Sequence, residues 1–533
     1  MLDLFSDLNN VDLSNFFFFV KNYIHNYIIF YIMSETLFIL GNGPSLADVM
    51  NNDKYLDYVK QHDTFCLNNF YKMMDKYNFI PTYYGCFDYV VNNNKKDDYS
   101  KLVLQENGIK EFYFIGNNSQ GQSLYSKDVV NNDRFIKFNF INKGLNGFSE
   151  ISKNFDHFVN AGASGANALQ IGIMKGYKRI ILLGCDCNYV EKVEGSAVNS
   201  NGQLVISGDV KENPNYWFPE YHSNGDTYNF PQTQKYQIGG WKNIYDHCPK
   251  DVEILNCSEI SKIPFFDKIK FDAICKKILI FTDSRGQYKN SFVNRLIFTE
   301  KIKSELYNLY KIKTDLILCP FKWTSTIDFI QCIEEQHINI DQYDYIILYT
   351  GVVEYSPRNL SNLNDCYNNV INETITYSKL INKKSKIINN KLSFMKTIFS
   401  ENELKEHFDN YSTIKYKNEY TNNLISMKMY ENTIVSYLKT KLQDKLIFIN
   451  SNYVLNDWEG TYLKINPLGR PENINIINDY VDLNAKLFPE CITLDWNDND
   501  VKKYTIDNMH LTYDGSEYIY NKIVALLKRK NFL

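Results

Sequence analysis

The sequence contains no Cys-x-x-Cys pair, no GxxxxGK[ST] loop, no cluster of basic residues, no heptad run, no internal repeat and no long disordered tract. Each absence removes a class. Eleven cysteines at irregular spacing in 533 residues, with Cys185 and Cys187 two apart but no second pair to complete them, exclude a zinc ribbon and a disulfide framework and leave reduced thiols. Without the P-loop lysine, ordinary P-loop phosphoryl chemistry is excluded. A formal net charge of −4, with Lys and Arg scattered along the chain, argues against nucleic acid as a partner. What is there is 44% hydrophobic, enough for about two to four domains with cores of their own.

Residues 1–32 hold the apolar stretch that invites a membrane reading. Its core, Phe16–Ile32, is interrupted by Lys21, Asn22, His25 and Asn26, which are too polar for a bilayer centre. No basic region precedes it and no small-residue cleavage site follows. It is expected to be an extension upstream of the first good strand, which leaves a cytoplasmic protein without stable membrane insertion.

Leu37–Leu46, LFILGNGPSL, reads as a buried strand that breaks into a glycine turn and starts a helix. Gly41 and Gly43 lack a Cβ, so they can take positive φ and bring the backbone close to a phosphate or ribose. Pro44 presets φ for the helix and Ser45 can cap free amides. A helix N-terminus at this turn favours an anion by a few tenths to about 1 kcal/mol. The same turn serves equally well as a structural strand end. Thr64–Tyr71 and Pro81–Val90 read as further strands, with Asn68 and Asp88 at their carboxyl ends. In Ala163–Tyr189 the spacing of Ala168, Ile171 and Met174 predicts a helix ended by Gly176, then a buried strand Ile180–Leu183, with Asp186 just beyond it. Singly, each Asn or Asp is best read as a turn or cap. Together, four strands delivering a polar group to one edge describe the ligand edge of an open α/β sheet.

These motifs, GNGPSL, LNNFY, ASG before a helix and LLGCDCNY after it, resemble bacterial sialyltransferases that use CMP-sugars on a single Rossmann-like domain. They are also similar to MptE-like pterin pyrophosphokinase domains and to motility-associated flagellin glycosyltransferases. Asn213–Tyr221, Asn256 and Pro264–Phe266 lie closer to the MptE-like branch. The match covers residues 35 to 270. It implies a Rossmann-like, GT-A-variant fold in which Asn42, Gly43, Asn68 and Ser164, with Gly41, Pro44, Ser45 and Gly165 around them, contact the donor nucleotide. Asp88 and Asp186 would lie beside the sugar or the cytosine. Tyr189, Tyr216 and Tyr221 would donate to the leaving phosphate, and His222 would deprotonate the acceptor hydroxyl, a task its near-neutral pKa suits. Otherwise a lone histidine in this Asn- and Gly-rich loop is a solvated surface residue. The CMP-sugar is a donor substrate, and no permanent cofactor or metal is expected. Under the pyrophosphokinase alternative the same cradle holds ATP and Mg²⁺, with Asp88 or Asp186 as ligand.

The second half opens with an apolar strand, Ile278–Phe281, that ends at Asp283 and Ser284. Far downstream, Asp507 and His510 stand three residues apart, a spacing that lets one turn aim carboxylate and imidazole at the same serine. A closing amphipathic helix is expected over Gly515–Leu527. This order resembles the SGNH (GDSL-like) hydrolases over residues 276 to 530, including acetylesterases and O-acetyltransferases acting on sugars, and implies a flavodoxin-like fold. Two departures matter. Thr282 stands where the family has glycine, and Gly351, the expected oxyanion glycine, is followed by Val352, Val353 and Glu354 instead of an asparagine. Losing one oxyanion donor costs on the order of 100- to 1,000-fold in rate unless Arg358 or another amide replaces it, and Glu354 there would repel the oxyanion. A retained fold with little or different activity is the alternative outcome.

The fold class expected is therefore α/β, with two doubly wound three-layer domains at 33–270 and 276–533 joined by a short linker. An Asn- and Lys-rich insertion at about 360–440 would cover the sheet edge and could act as a lid. The function expected is a glycosyltransferase using a CMP-activated sugar, fused to an esterase or acyltransferase and acting on a glycan or glycoconjugate. A pyrophosphokinase and a non-catalytic glycan- or protein-binding module are the rivals.

Overall fold

The computed structural model describes residues 36–116, 124–141, 150–189, 193, 195–208, 210–229, 237–287, 295–368 and 390–533. The extension at 1–32 and the part of the insertion at 369–389 lie outside the described residues. The chain is α/β and divides into two compact units, with the division between Asp272 and Ala273. All eleven cysteines are free. Among the described residues no helix is long and apolar enough to cross a membrane.

The first unit is built on seven parallel strands: β1 (Thr36–Leu40), β2 (Asp63–Leu67), β3 (Tyr83–Cys86), β4 (Glu111–Phe114), β5 (Arg179–Leu183), β6 (Glu253–Asn256) and β7 (Asp267–Lys268). Their order is β7-β6-β5-β1-β2-β3-β4. Successive residues of β1 face opposite layers. Leu37 and Ile39 pack into the core that holds the helix Ser164–Met174, whereas Phe38 meets Tyr58 and Phe271. Burial on both faces is why the central strands β1 and β5 are nearly continuous apolar runs. The order reverses between β1 and β5, so the chain leaves these neighbours in opposite directions and a crevice opens beyond their carboxyl ends.

Gly41 and Gly43 serve packing and not positive φ, whereas Gly184 opposite them holds φ 62°. Gly43 has φ −67° and ψ 160°. A Cβ on Gly41 would stand 2.3 Å from the Gly184 carbonyl oxygen, and one on Gly43 would stand 2.3 Å from the Asp186 carboxylate. Gly41 N–H donates to the Leu183 carbonyl at 2.7 Å and Gly43 N–H to that of Gly184 at 2.8 Å. The missing side chains thus let the two turns lie against each other.

The second unit has β8 (Lys277–Thr282), β9 (Lys313–Leu318), β10 (Tyr345–Tyr349) and β11 (Leu446–Phe448), parallel and ordered β9-β8-β10-β11. A parallel bridge from Ile449 to Ile492 extends this to the flavodoxin-like 2-1-3-4-5 order. Leu279, Phe281, Ile346 and Leu348 enter one core, and Ile278, Ile280, Ile347 and Tyr349 the opposite one. The closing helix runs Tyr513–Arg529, with Thr512 as its N-cap. The described part of the insertion is not a loose cover. Leu363, Phe394, Met395 and Leu404 belong to the same core as Leu279 and Phe281, and buried Lys391 pairs with buried Asp328 at 2.8 Å.

Gly41→Ala should destabilise the first unit by about 1–3 kcal/mol, because the new methyl meets backbone that cannot rotate away. The urea midpoint of the purified variant checks this.

Candidate active sites

In the first unit a cavity of about 630 Å³ lies beyond the carboxyl edge, and the turns after β1, β2, β3, β4 and β5 all contribute to its wall. It brings together Gly41, Asn42, Asn68, Asp88, Ser164, Gly165, Asp186, Tyr189, Tyr216, Tyr221 and His222. Gly43, Pro44 and Ser45 are not among its lining residues. Pro44–Leu46 is a single 3-10 turn, and its expected anion site is already taken. Ser45 donates its N–H to Asp186 Oδ2 at 2.9 Å and its hydroxyl to Oδ1 at 2.5 Å, and Ser258 also donates to Oδ1.

The helix that addresses the cavity is Ser164–Met174. Its N-cap, Ala163, offers no side-chain acceptor, and Gly162 to Gly165 line the cavity, so the amides of its first turn face the space. Ser164 donates to Asn68 Oδ1 at 3.4 Å, and Asn68 holds a left-handed φ of 51°. Asn42 spends its amide N–H on the Leu67 carbonyl at 2.7 Å, leaving its buried Oδ1 without a partner. An orphan acceptor suits a ribose hydroxyl or a base amine and not a phosphate. Asp88 caps the helix Tyr89–Asn94 through the amides of Val90 and Val91 and also holds Asn229 at 2.9 Å. The two carboxylates assigned to Mg²⁺ in the pyrophosphokinase alternative are therefore both engaged by protein donors. Asn256 is fully buried and bonds Ser261.

His222 is not a solvated surface residue; it is 5% exposed. Its ring stacks on Tyr228 at 4.4 Å and meets the edges of Tyr216 and Tyr221, which stack on each other at 3.5 Å. Nε2 is buried without a partner. Burial above all, with Lys72 and Lys95 nearby and Asp226 opposing them, pushes its pKa down to about 4, so the ring is neutral at physiological pH but a weaker base than the near-neutral value expected of it. Burial likewise raises the phenols of Tyr189, Tyr216 and Tyr221, which remain O–H donors. Sequence reasoning missed Gln237, whose buried Oε1 lacks a partner, and the hairpin tip Asn201–Gln203, both in the cavity wall. Neither carries a motif.

In the second unit Ser284 Oγ lies 2.9 Å from His510 Nε2, and His510 Nδ1 lies 2.8 Å from Asp507 Oδ2. Asp507 Oδ1 accepts the backbone N–H of His510 at 2.7 Å, which is how the three-residue spacing aims the ring. Burial works against the Asp507 charge, but His510 and Arg470 outweigh it and hold the carboxyl below its ordinary range. The serine turn is pinned by a buried pair that sequence reasoning missed. Arg285 Nη2 binds Asp283 Oδ2 at 2.7 Å, its Nη1 binds Ser451 at 2.6 Å, and its guanidinium lies 4.0 Å over the Tyr349 ring. Adjacency to Ser284 was the signal.

Both departures from the SGNH pattern have local explanations. A Cβ on Gly286 would stand 2.3 Å from Thr282 Oγ1, so the glycine lost at 282 is matched by one at 286. Thr282 pairs with Tyr349 in the β8–β10 register and Asp283 N–H donates to the Tyr349 carbonyl at 3.0 Å, so the turns that carry Ser284 and Gly351 leave neighbouring strand ends. Gly351 has φ 119° and lies against the Tyr355 ring. Glu354 is held by a backbone donor at this position. It is fully buried and accepts the Thr326 N–H at the start of the helix Thr326–Glu334, and burial raises its pKa to about 7. Arg358 lies over the Trp323 ring at 4.3 Å.

No family model matches the chain, and no curated protein matches it in sequence. Among solved structures it is similar to the lipase/acylhydrolase from Enterococcus faecalis, with 12% identity over 48% of this chain and 96% of that one and a TM-score of 0.28. It is similar to the MAf glycosyltransferase from Magnetospirillum magneticum AMB-1, with 12% identity over 45% of this chain and 34% of that one and a TM-score of 0.27. It is also similar to the sialyltransferase CstII from Campylobacter jejuni, in complex with the substrate analogue CMP-3FNeuAc, with 16% identity over 44% of this chain and 86% of that one and a TM-score of 0.26.

The buried imidazole makes the first unit acid-sensitive. An unfolded chain protonates His222 near 6.5 and the folded one only near 4, so the unfolded state binds more protons between these values. Its contribution is intact above pH 6.5 and is lost as pH falls toward 4, by at most about 3 kcal/mol. Urea midpoints at pH 7 and pH 5 should differ less in His222→Gln than in the wild type.

Proposed function

We propose that the chain is a two-unit glycan-modifying enzyme, in which the first unit transfers a sugar from a CMP-activated donor and the second cleaves or forms an acyl ester through Ser284. The observation that carries the second half is the unbroken line Ser284–His510–Asp507. His510 Nε2 takes the hydroxyl proton as Oγ attacks the ester carbonyl, and Asp507 keeps the ring oriented and stabilises its charged form. The tetrahedral oxyanion would be met by the amides of Ser284 and Gly351. Collapse expels the alcohol with the proton from His510, and water or a sugar hydroxyl then receives the acyl group.

The first half is supported by the pairing of an open helix N-terminus with a neutral buried imidazole in one cavity. Phosphate would rest on the Ser164 to Ala166 amides, and Asn42 Oδ1 would accept from ribose or base. His222 Nε2 would take the proton of the acceptor hydroxyl as its oxygen bonds the anomeric carbon. The bond to CMP breaks with its electron pair staying on phosphate, where a buried tyrosine hydroxyl donates to it.

Hydrolysis of p-nitrophenyl acetate should fall on the order of 1,000-fold or more in Ser284→Ala; an unchanged rate removes the triad from the account. In the first unit His222→Ala should slow transfer from a CMP-sugar on the order of 100-fold, with CMP binding by calorimetry retained. No binding or turnover of any CMP-sugar in a donor panel, alongside ATP turnover with a pterin, would overturn the transferase reading. No activity of either kind in the wild type, with glycan binding unchanged in both variants, would favour the binding module.

A further inference from the structure

The turn that carries Asp507 and His510 is wrapped by the chain leaving β11. Thr461 donates its N–H to the Ile506 carbonyl at 2.8 Å, and Asn508 Oδ1 accepts from Leu455 at 3.0 Å. Arg470 stands at the end of this wrap. Its Nη2 lies 3.5 Å from Asp507 Oδ2, the same oxygen that holds His510 Nδ1. The side chain is 6% exposed, lies 4.0 Å over the Tyr462 ring, and its backbone N–H donates to Glu459 at 2.8 Å. The carbonyl of the preceding Gly469 accepts the Tyr416 hydroxyl at 2.6 Å, and Tyr416 belongs to the hairpin Lys415–Tyr416 and Glu419–Asn422 within the inserted segment.

We propose that Arg470 is a positioning residue for the Asp507–His510 pair, supported by the inserted hairpin through Tyr416, and that it sets the pH at which Ser284 becomes active. The inference rests on the esterase reading of this unit. A guanidinium sharing the carboxylate oxygen that holds Nδ1 competes with the ring for that charge, so its removal strengthens the hold of Asp507 on the protonated imidazole. The titratable groups acting on Asp507 are His510 and Arg470. Those acting on Arg470 are Asp507, Tyr462, Glu459 and Tyr416. The Ser-His-Asp line alone accounts for proton transfer; the cation behind it accounts for its pH range.

The test uses the full chain. The acid limb of kcat/KM for p-nitrophenyl acetate should move up by roughly one pH unit in Arg470→Met. Arg470→Lys, which keeps the charge and loses the fork, should restore the limb while the plateau stays low. Tyr416→Phe, a milder lesion, should move the limb the same way by less, and it decides alone where Arg470→Met does not fold. Titration of the His510 ring by NMR reports the same displacement without any substrate. A wild type lacking Ser284-dependent hydrolysis would therefore overturn the esterase reading and leave the ring titration to judge Arg470. A limb and a ring titration that stay at wild-type positions, or that move equally in Arg470→Lys, overturn the inference.

Discussion

Both units depend on the same constraint, the point at which a parallel sheet reverses its winding. Between β1 and β5, and again between β8 and β10, neighbouring strands send their chains away in opposite directions. No crossover covers the gap, so only turns wall it. In the first unit the wall closes because Gly41 and Gly184 lie backbone to backbone. In the second, the turns bearing Ser284 and Gly351 leave the paired ends of β8 and β10 at Thr282 and Tyr349. The candidate cavity of the first unit and Ser284 of the second both lie at these edges.

A second regularity concerns the acidic residues found there. A carboxylate at a strand end sits among unpaired amides, and the amides claim it. Asp186 binds Ser45, Asp88 caps a helix, Asp283 holds Arg285, and Glu354 receives Thr326. Asp507 differs in that its engagement with backbone also aims the His510 ring, because Oδ1 takes the His510 amide while Oδ2 is left for the imidazole. The groups that remain open in the first unit are of another kind: the amides of a helix start, an orphan amide oxygen and a neutral imidazole. These suit a phosphorylated ligand rich in hydroxyls.

The strands were legible because parallel strands buried on both faces are unbroken apolar runs, and Lys277–Thr282 and Arg179–Leu183 stand out in the bare sequence for that reason. The triad was legible because Asp507 and His510 are local to each other and a serine ends the first strand of its unit. What sequence could not reveal depends on partners far along the chain. The burial of His222 needs Tyr228 from a separate strand, and the use of Gly41 needs Gly184 from β5. Asp186 looked available for a ligand until Ser45 and Ser258 were placed against it. Arg470 sits in no motif, and only the fold brings it to Asp507.

The contact between Thr282 and Gly286 has a meaning for how such a serine turn can diverge. The side chain at 282 occupies the space that a Cβ at 286 would need. Neither position is free to change alone, because a larger residue at 286 collides and a glycine at 282 leaves a void under the turn. Exchanged together, the two keep the volume constant. Substitutions at the two positions are therefore non-additive, because each sets the space available to the other.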